Sequence, residues 1–508
     1  MRNPLFIFLA ILLLLTVSCR EDNLNPNENQ NDEVGVKLES LYSSRSSKLK
    51  REFARALIKS MNESPKLREL IKNEALKMFD KDYEVLIISL KERKVENGMS
   101  VEDLLNSNLQ RFKLNELLQD NPALTILVPV LPENSFSAES WDTSNVIPSV
   151  AIRTRCSNDI PYFKTDGNEG IIEGKYIPGF PIVVVKDNER VVFQTDPVYS
   201  KLRSAVYKKN GFSYRFWCEE FDENAKSIKS PKINNRLTTS IDSKIITAYN
   251  IYNGTDGWQR DYIYYGISPS NPKGKFTYNY QEYVTSFSMN GDANIAYQKI
   301  SDQTGDPYIV NNNNINSWTG GFYEFKVRTI INAKSGVGNE LINGFTASPD
   351  KIFKLTYRQV STFPKRYILD KIENNEMKVM LPLINWKLED YATSIKIQIE
   401  EVDLSTTTVI TDSRTVKFAT NFEANTTIGE ILKVGMKYGA SFEDTQTHTV
   451  QRTFTQGNDD LGETIINFGD NVIIGKATVG SIIPITIYAT RFYSSGFYNI
   501  SVEPIRVQ

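Results

Sequence analysis

Histidine, the side chain most often used for proton transfer near neutral pH, occurs once in this 508-residue chain, at position 448. His448 lies in an alternating, strand-like stretch, where a surface or cross-strand position is the simpler interpretation. The chain has neither an HExxH motif nor a GxSxG nucleophile elbow. Zincin-type metalloprotease chemistry and a Ser-His-Asp hydrolase are therefore excluded, and we assign no catalytic residue.

Carboxylates are abundant, with 61 Asp and Glu residues in total. Glycoside hydrolysis needs only two of them at a suitable separation, which a sequence does not reveal, so a carboxylate-dependent hydrolase remains an alternative. The 59 Lys and Arg residues balance the acids, so no basic footprint for nucleic acid is present. No GxGxxG or P-loop pattern is found either, and we therefore expect no nucleotide cofactor.

Acidic side chains gather around one short predicted strand near the C-terminus. Asp459 and Asp460 precede that strand, and Asp470 follows it. Calcium takes oxygen ligands from Asp-rich loops, and the stretch resembles the loops of C2-type sandwiches. We predict no definite cofactor. Calcium is a candidate metal ion at these three residues, and solvent-exposed acids in turns are the simpler interpretation.

Two tryptophans stand beside polar, flexible loops. Trp258 follows a Gly-rich loop, and Trp318 follows a run of asparagines and precedes Thr-Gly-Gly. An aromatic ring in such a place could stack on a sugar, whereas an indole in a sandwich core is the simpler interpretation. The sequence names both residues as candidates for ligand stacking.

The N-terminus carries targeting information. Arg2 precedes an unbroken apolar run, 5–15, which is too short to span a bilayer and typical of a signal-peptide core. Cys19 follows the small residues Val17 and Ser18, and this pattern resembles the lipobox of bacterial lipoproteins. The resemblance implies that residues 1–18 are removed and that Cys19 is acylated. The lipid on Cys19 would then attach the protein to a membrane.

Residues 19–45 contain almost no apolar side chains before position 34 and carry asparagine on every second position from 23 to 31. Such a segment cannot bury enough surface to fold alone and is predicted to be a disordered tether. Glu21 and Asp22 resemble the surface-export signal of Bacteroidota lipoproteins. This resemblance implies an outer-membrane anchor facing the cell exterior, with periplasm-facing attachment as the alternative.

Two further cysteines, Cys156 and Cys218, remain after Cys19. In a compartment outside the cytoplasm they can form a disulfide, which would close a loop of about 62 residues and stabilise the fold by about 4 kcal/mol. Two free buried thiols are an equally simple alternative.

Local patterns divide the mature chain into four regions. Apolar residues at helical spacing, the Ser64-Pro65 start signal and the capping-box pattern from Ser100 to Asp103 predict a helical segment over 46–122. A mixed, β-rich region follows over 123–235, with a predicted hairpin around Asp187-Asn188. Strand-like runs separated by turns, among them 245–252, 262–265 and 434–440, then predict two antiparallel β-sandwich-like domains, 236–375 and 376–508. The fold class is thus a multi-domain α+β protein that is mostly β.

One Thr-rich alternating stretch, 441–455, resembles the membrane-inserting hairpins of aerolysin-like toxins. Such a hairpin needs one apolar face, and Gln446, His448 and Gln451 interrupt both faces. We therefore rank pore formation below the other hypotheses.

The whole chain resembles an uncharacterised surface lipoprotein of the Bacteroidota. The leading hypothesis is a membrane-anchored protein with a non-catalytic binding or adhesion role toward a glycan or protein ligand. The alternatives are a glycan-binding accessory protein of an outer-membrane uptake system and a carboxylate-dependent hydrolase.

Overall fold

The computed structural model describes residues 35–154, 157–197, 199–202, 204–217, 221–222, 241–255, 257–301, 308–310, 314–316, 318–333, 336–402, 409–420, 444–455, 459–479 and 484–508. The predicted signal peptide and most of the tether lie outside these residues, as do Cys19, Cys156 and Cys218. The predicted strand over 434–440 lies outside them as well.

The N-terminal part begins with helices, as the sequence predicts. After a helical stretch at 35–41, the helices are α1 (Arg45–Glu63), α2 (Pro65–Ala75), α3 (Ile87–Leu90), α4 (Val101–Asn108) and α5 (Leu114–Asp120). The Ser64 hydroxyl caps α2 by accepting from the Leu67 backbone N–H at 2.9 Å. Ser100 and Asp103 form the predicted capping box at the start of α4. Both start signals are confirmed.

A six-stranded mixed sheet packs against these helices. The strands of the N-terminal part are β1 (Glu84–Leu86), β2 (Leu124–Leu127), β3 (Ser149–Ile152), β4 (Ile160–Phe163), β5 (Glu169–Ile172), β6 (Ile177–Pro178), β7 (Ile182–Asp187), β8 (Val191–Phe193), β9 (Tyr207–Lys209) and β10 (Phe212–Phe216). The sheet order is β1-β2-β7-β3-β4-β5, in which β3 and β7 run parallel. Helices and sheet bury one common hydrophobic core, so the predicted regions 46–122 and 123–235 pack together.

The hairpin predicted around Asp187-Asn188 is wrong, although the turn is present. Strand β7 belongs to the six-stranded sheet, whereas β8 pairs with β10 in a separate sheet of order β8-β10-β9. The Asn188 side-chain oxygen accepts from the backbone N–H groups of Arg190 and Val191, at 2.9 and 3.0 Å. These bonds turn the chain away from β7, and the two β-branched runs therefore find other partners.

The C-terminal part contains most of the strands. They are β11 (Tyr280–Met289), β12 (Tyr308–Val310), β13 (Asn314–Asn316), β14 (Tyr323–Ala333), β15 (Gly336–Ala347), β16 (Phe353–Thr362), β17 (Lys365–Asn374), β18 (Met377–Pro382), β19 (Ser394–Glu401), β20 (Val409–Thr420), β21 (Asp444–Thr455), β22 (Asp459–Asn467), β23 (Ile473–Val479), β24 (Ile485–Thr490), β25 (Phe492–Ser494) and β26 (Tyr498–Arg506). The prediction of a mostly β α+β chain is confirmed.

Two four-stranded antiparallel sheets face each other in this part. Their orders are β18-β11-β26-β25 and β15-β14-β19-β22. Phe287 of β11 lies 5.0 Å from the ring of Phe325 in β14, which closes a sandwich-like core. Each sheet combines strands from 236–375 with strands from 376–508, and both sheets contribute to that one core. The two predicted domains are therefore intertwined, because the sheets are completed by pairing across position 375.

Two stretches predicted as strands are helices. They belong to α6 (Ser243–Tyr252) and α7 (Gln259–Tyr265), and the short helices α8 (Ala293–Lys299) and α9 (Pro349–Ile352) follow. Asp242 caps α6, and the buried residues Ile245, Ala248, Tyr249 and Tyr252 recur at helical spacing. Their β-branched and aromatic side chains favour strands locally, and burial of one helical face overrides that preference.

Smaller β elements complete the fold. Strands β16 and β17 form a hairpin, and β17 also pairs with β6 of the N-terminal part. Strands β20 and β21, which include His448, pair over their full length. Among the residues that the structure describes, no helix combines the length and apolarity needed to cross a membrane.

Candidate ligand-binding site

A buried ion pair forms the base of the site. Arg260 on α7 and Glu282 on β11 are both fully buried, and the guanidinium donates two hydrogen bonds to the carboxylate, at 2.7 and 3.1 Å. Tyr264 donates a third bond to Glu282 at 3.0 Å. Burial is the largest effect and would lower the pKa of Arg260, but the charge of Glu282, its hydrogen bond to Arg260 and the nearby tyrosines together raise that pKa. The pair fixes α7 against the first strand of the sandwich.

The loop between β18 and β19 is anchored above this pair. The indole of the fully buried Trp386 donates to the Ala392 carbonyl at 2.8 Å, and the Arg260 guanidinium lies 5.4 Å from its ring centroid. Tyr265 on α7 accepts from the Leu388 backbone N–H at 2.8 Å and donates to Glu389 at 2.7 Å. These contacts close a loop that would otherwise expose its backbone.

A cavity of about 300 Å³ opens beside this loop. That volume is at the small end of ligand pockets. Two tyrosines, two amides, an ion pair and two aliphatic residues line it: Tyr278, Tyr391, Gln281, Asn385, Lys387, Asp390, Leu383 and Ile384. Backbone bonds from Glu282 to the Ile384 carbonyl and from Leu383 to the Glu282 carbonyl attach its floor to β11.

The charges in the cavity compensate each other. The Lys387 ammonium lies 3.0 Å from the Asp390 carboxylate, whose hydrogen bond raises the pKa of Lys387. Burial raises the pKa of Tyr391, so its phenol stays neutral. The lining therefore presents neutral hydrogen-bonding groups and a closed ion pair.

One polar atom of the cavity wall lacks a partner. The side-chain oxygen of Asn385 is buried and accepts no hydrogen bond from any described residue. A buried acceptor without a donor costs about 1–3 kcal/mol.

The predicted stacking residues lie elsewhere. Trp258 precedes α7 and packs half-buried against Phe468 and Gly469. Trp318 is 3% exposed and belongs to the core of the N-terminal part. Neither indole lines the cavity. The signal that sequence reasoning missed is the pair of tyrosines, Tyr278 and Tyr391, which are separated by more than a hundred residues.

The structure places the calcium candidates in separate local contacts. Asp459 forms an ion pair with Lys299, Asp460 accepts from the Gly462 backbone at 2.9 Å, and Asp470 accepts from the Asn467 backbone at 2.8 Å. Within the described part of the chain, no group of three or more His, Cys, Asp or Glu side chains is placed to hold a metal ion.

A second polar cluster, missed at the sequence level, joins the two cores. We call it the junction cluster. Its buried members are Asp80, Asp82, Glu84, Lys186, Asn188, Arg190 and Glu324, and the partly exposed Glu189 borders them.

Hydrogen bonds and ion pairs connect both sides of the junction cluster. Lys186 contacts the Glu84 carboxylate at 2.7 Å and the Gly320 carbonyl at 3.0 Å. Asn188 donates to Asp80 and Glu84, each at 2.6 Å. Arg190 of the N-terminal part pairs with Glu324 of β14. The cluster therefore joins the two parts of the chain through buried charges.

The surroundings of the junction cluster favour the protonated form of its carboxyl groups. Burial raises the pKa of Asp80, Asp82 and Glu84, and it raises the pKa of Glu324 to about 8. For Lys186, burial favours the neutral amine, but the charges of Glu189 and Glu84 outweigh it and raise the pKa.

The described residues thus define an α+β, mostly β protein in which a helix-and-sheet unit and a sandwich-like unit are joined through buried charges. The sandwich-like unit carries a small, neutral cavity beside an anchored loop. Comparisons with protein-family models, curated proteins and solved structures found no match.

Proposed function

We propose that this chain is a lipid-anchored binding protein of the outer membrane, displayed toward the cell exterior, and that its ligand occupies the cavity beside the β18–β19 loop. The cavity carries the proposal, because it combines a wall fixed by hydrogen bonds with tyrosine and amide side chains that can contact a ligand. A wall that is ordered before the ligand arrives loses little conformational entropy on binding.

The lining supports binding rather than catalysis. It includes one carboxylate, Asp390, which is already paired with Lys387. Glycoside hydrolysis requires two carboxyl groups on either side of the scissile bond. Binding without turnover is therefore the function that this lining supports better than the carboxylate-dependent hydrolase.

The proposed anchor depends on Cys19 and the tether behind it. Replacing Cys19 with alanine removes the acyl acceptor, so we expect the protein to leave the outer-membrane fraction. The Asn25→Ala variant, altered within the tether, serves as the control and should stay with the membrane. Membrane association of the Cys19→Ala chain equal to that of the parent would refute the anchor.

Surface display is tested on intact cells with an added protease. Digestion of the native protein before the cells are permeabilised supports display on the cell exterior. Protection until permeabilisation would instead assign the chain to the periplasmic face.

A further inference from the structure

We infer that the cavity recognises a neutral saccharide, one sugar ring of which packs on Tyr278. This inference rests on the proposed function, since it names the ligand class of the same site. Three independent properties of the cavity support it: a fixed aromatic platform, two amide side chains in the wall and a balanced charge.

The platform is an exposed aromatic ring that packs on a partly buried ring, which in turn packs on a fully buried one. Tyr278 is 52% exposed, and its ring meets that of Phe276 edge-on at 4.9 Å. Phe276 in turn stacks at 5.7 Å on the fully buried Tyr264, whose hydroxyl bonds to Glu282. A ring that remains exposed while its neighbours fix its position offers a flat apolar face to a ligand. The C–H groups of a sugar ring suit such a face, because it carries partial negative charge.

The amides provide the polar part of the recognition. The Asn385 oxygen has no donor among the described residues, and the Gln281 amide makes only a long bond of 3.4 Å to the Leu383 carbonyl. An amide offers two donors and an acceptor, and a sugar hydroxyl both donates and accepts. Saccharide hydroxyls therefore match the hydrogen-bonding character of the two amides in the wall.

The charge balance favours a ligand without net charge. Lys387 and Asp390 neutralise each other across 3.0 Å. A carboxylate or phosphate ligand would compete with Asp390 for Lys387, and a cation would compete with Lys387 for Asp390. A neutral ligand leaves the pair intact, and the pair keeps hydrogen-bonding capacity for further hydroxyls.

The position of the platform relative to the amides is set by the fold. Tyr278 lies two residues before β11, Gln281 lies at the start of that strand, and Asn385 lies in the loop anchored by Trp386. Backbone hydrogen bonds join that loop to β11 at Glu282. The two halves of the cavity therefore keep one geometry, as selective binding of a small ligand requires.

The test uses the full-length lipidated protein in detergent micelles and a panel of neutral sugars: glucose, galactose, mannose, N-acetylglucosamine and their short oligomers. Saturation-transfer NMR identifies a binding sugar, and titration calorimetry gives its Kd. We expect Tyr278→Ala to raise that Kd at least tenfold and Tyr278→Phe to retain binding, since the phenyl ring preserves the platform.

Two further variants and one control complete the design. Asn385→Leu removes the unpaired acceptor and should also raise the Kd at least tenfold, while Gln281→Ala tests the second amide if the first variant unfolds. Phe363→Ala is the matched control, because it removes a 94% exposed aromatic ring outside the cavity. It should bind the sugar as the parent does.

The outcomes separate this inference from the proposed function. No binding of any panel sugar at millimolar concentration, or binding unchanged by Tyr278→Ala and Asn385→Leu together, overturns the saccharide inference. Binding of a peptide or protein that is lost in Tyr278→Ala also overturns it, but leaves the cavity as the ligand site of a binding protein.

Discussion

The junction cluster contains five acids for two bases, counted over Asp80, Asp82, Glu84, Glu189, Glu324, Lys186 and Arg190. A fully ionised cluster would bury excess negative charge, which is costly in a low-dielectric interior. Protons relieve that excess, and Glu324 is the clearest case. Burial raises its pKa from 4.5 to about 8, against the opposing effect of Arg190. The chain should therefore take up a proton when it folds at a pH between 4.5 and about 8.

The sign and size of the effect follow from linkage. The folded state keeps a proton on Glu324 between pH 4.5 and 8, whereas the unfolded chain has released it. The stabilisation is complete below the unfolded pKa and is lost as the pH rises through the folded pKa. Between pH 5.5 and 8, this one group should lower the free energy of unfolding by about 3 kcal/mol, at about 1.4 kcal/mol per pH unit.

The Glu324→Gln variant tests this reasoning, because an amide has the shape of the neutral carboxyl group and does not titrate. Urea unfolding followed by tryptophan fluorescence gives the free energy of unfolding at pH 5.5 and at pH 8. We expect the variant to match the parent within about 1 kcal/mol at pH 5.5 and to exceed it by about 3 kcal/mol at pH 8.

Glu373→Gln provides the control, since Glu373 is an exposed β17 residue beside Lys371, outside the junction cluster. Its pH profile should follow that of the parent. Equal pH dependence in Glu324→Gln and in the parent would refute proton retention at Glu324. A variant that is less stable than the parent at both pH values would show instead that Glu324 stabilises the fold as an anion.

Two further substitutions test the buried contacts. Arg260→Met leaves the Glu282 carboxylate buried without its partner, so urea unfolding should show a loss of about 3–5 kcal/mol. The double variant with Glu282→Leu should recover part of that loss, and no recovery would contradict the uncompensated charge as its cause. Gly321→Ala places a methyl group against the Asp82 carboxylate at a φ of +81°, whereas Gly254→Ala has a φ of +78° and open space around it. Thermal unfolding should show that Gly254→Ala lowers the free energy of unfolding by about 1–2 kcal/mol and that Gly321→Ala lowers it further. Equal losses in the two variants would exclude a clash between the added methyl group and Asp82.

Local signals predicted the N-terminal part well. The Ser64-Pro65 pair and the capping box at Ser100 act within three or four residues, and both helices begin where these signals stand. Residues 245–252 show the opposite case, because their β-branched and aromatic side chains favour strands while one buried helical face decides the outcome.

Local sequence signals did not predict which strands pair with each other. Strand β11 pairs with β26 more than two hundred residues later, and the predicted boundary at 375 falls between strands of one sandwich. The junction cluster did leave a pattern in the sequence. Asp80-x-Asp82-x-Glu84 and Lys186-x-Asn188-x-Arg190 have the same spacing and opposite charge, but strand β2 separates β1 from β7, so a rule for neighbouring strands would not have paired them.

The sequence by itself determined the balance of α and β structure, the helix starts in the N-terminal part and the lack of HExxH and GxSxG motifs, because these depend on residue types and short spacings. Its prediction of a lipid anchor at Cys19 also depends on a short motif. Only the tertiary structure brought Tyr278 and Gln281 beside Asn385 and placed Trp318 in a core. Contacts between residues a hundred positions apart are decided by how whole sheets and helices bury their apolar faces, and no short motif encodes that choice.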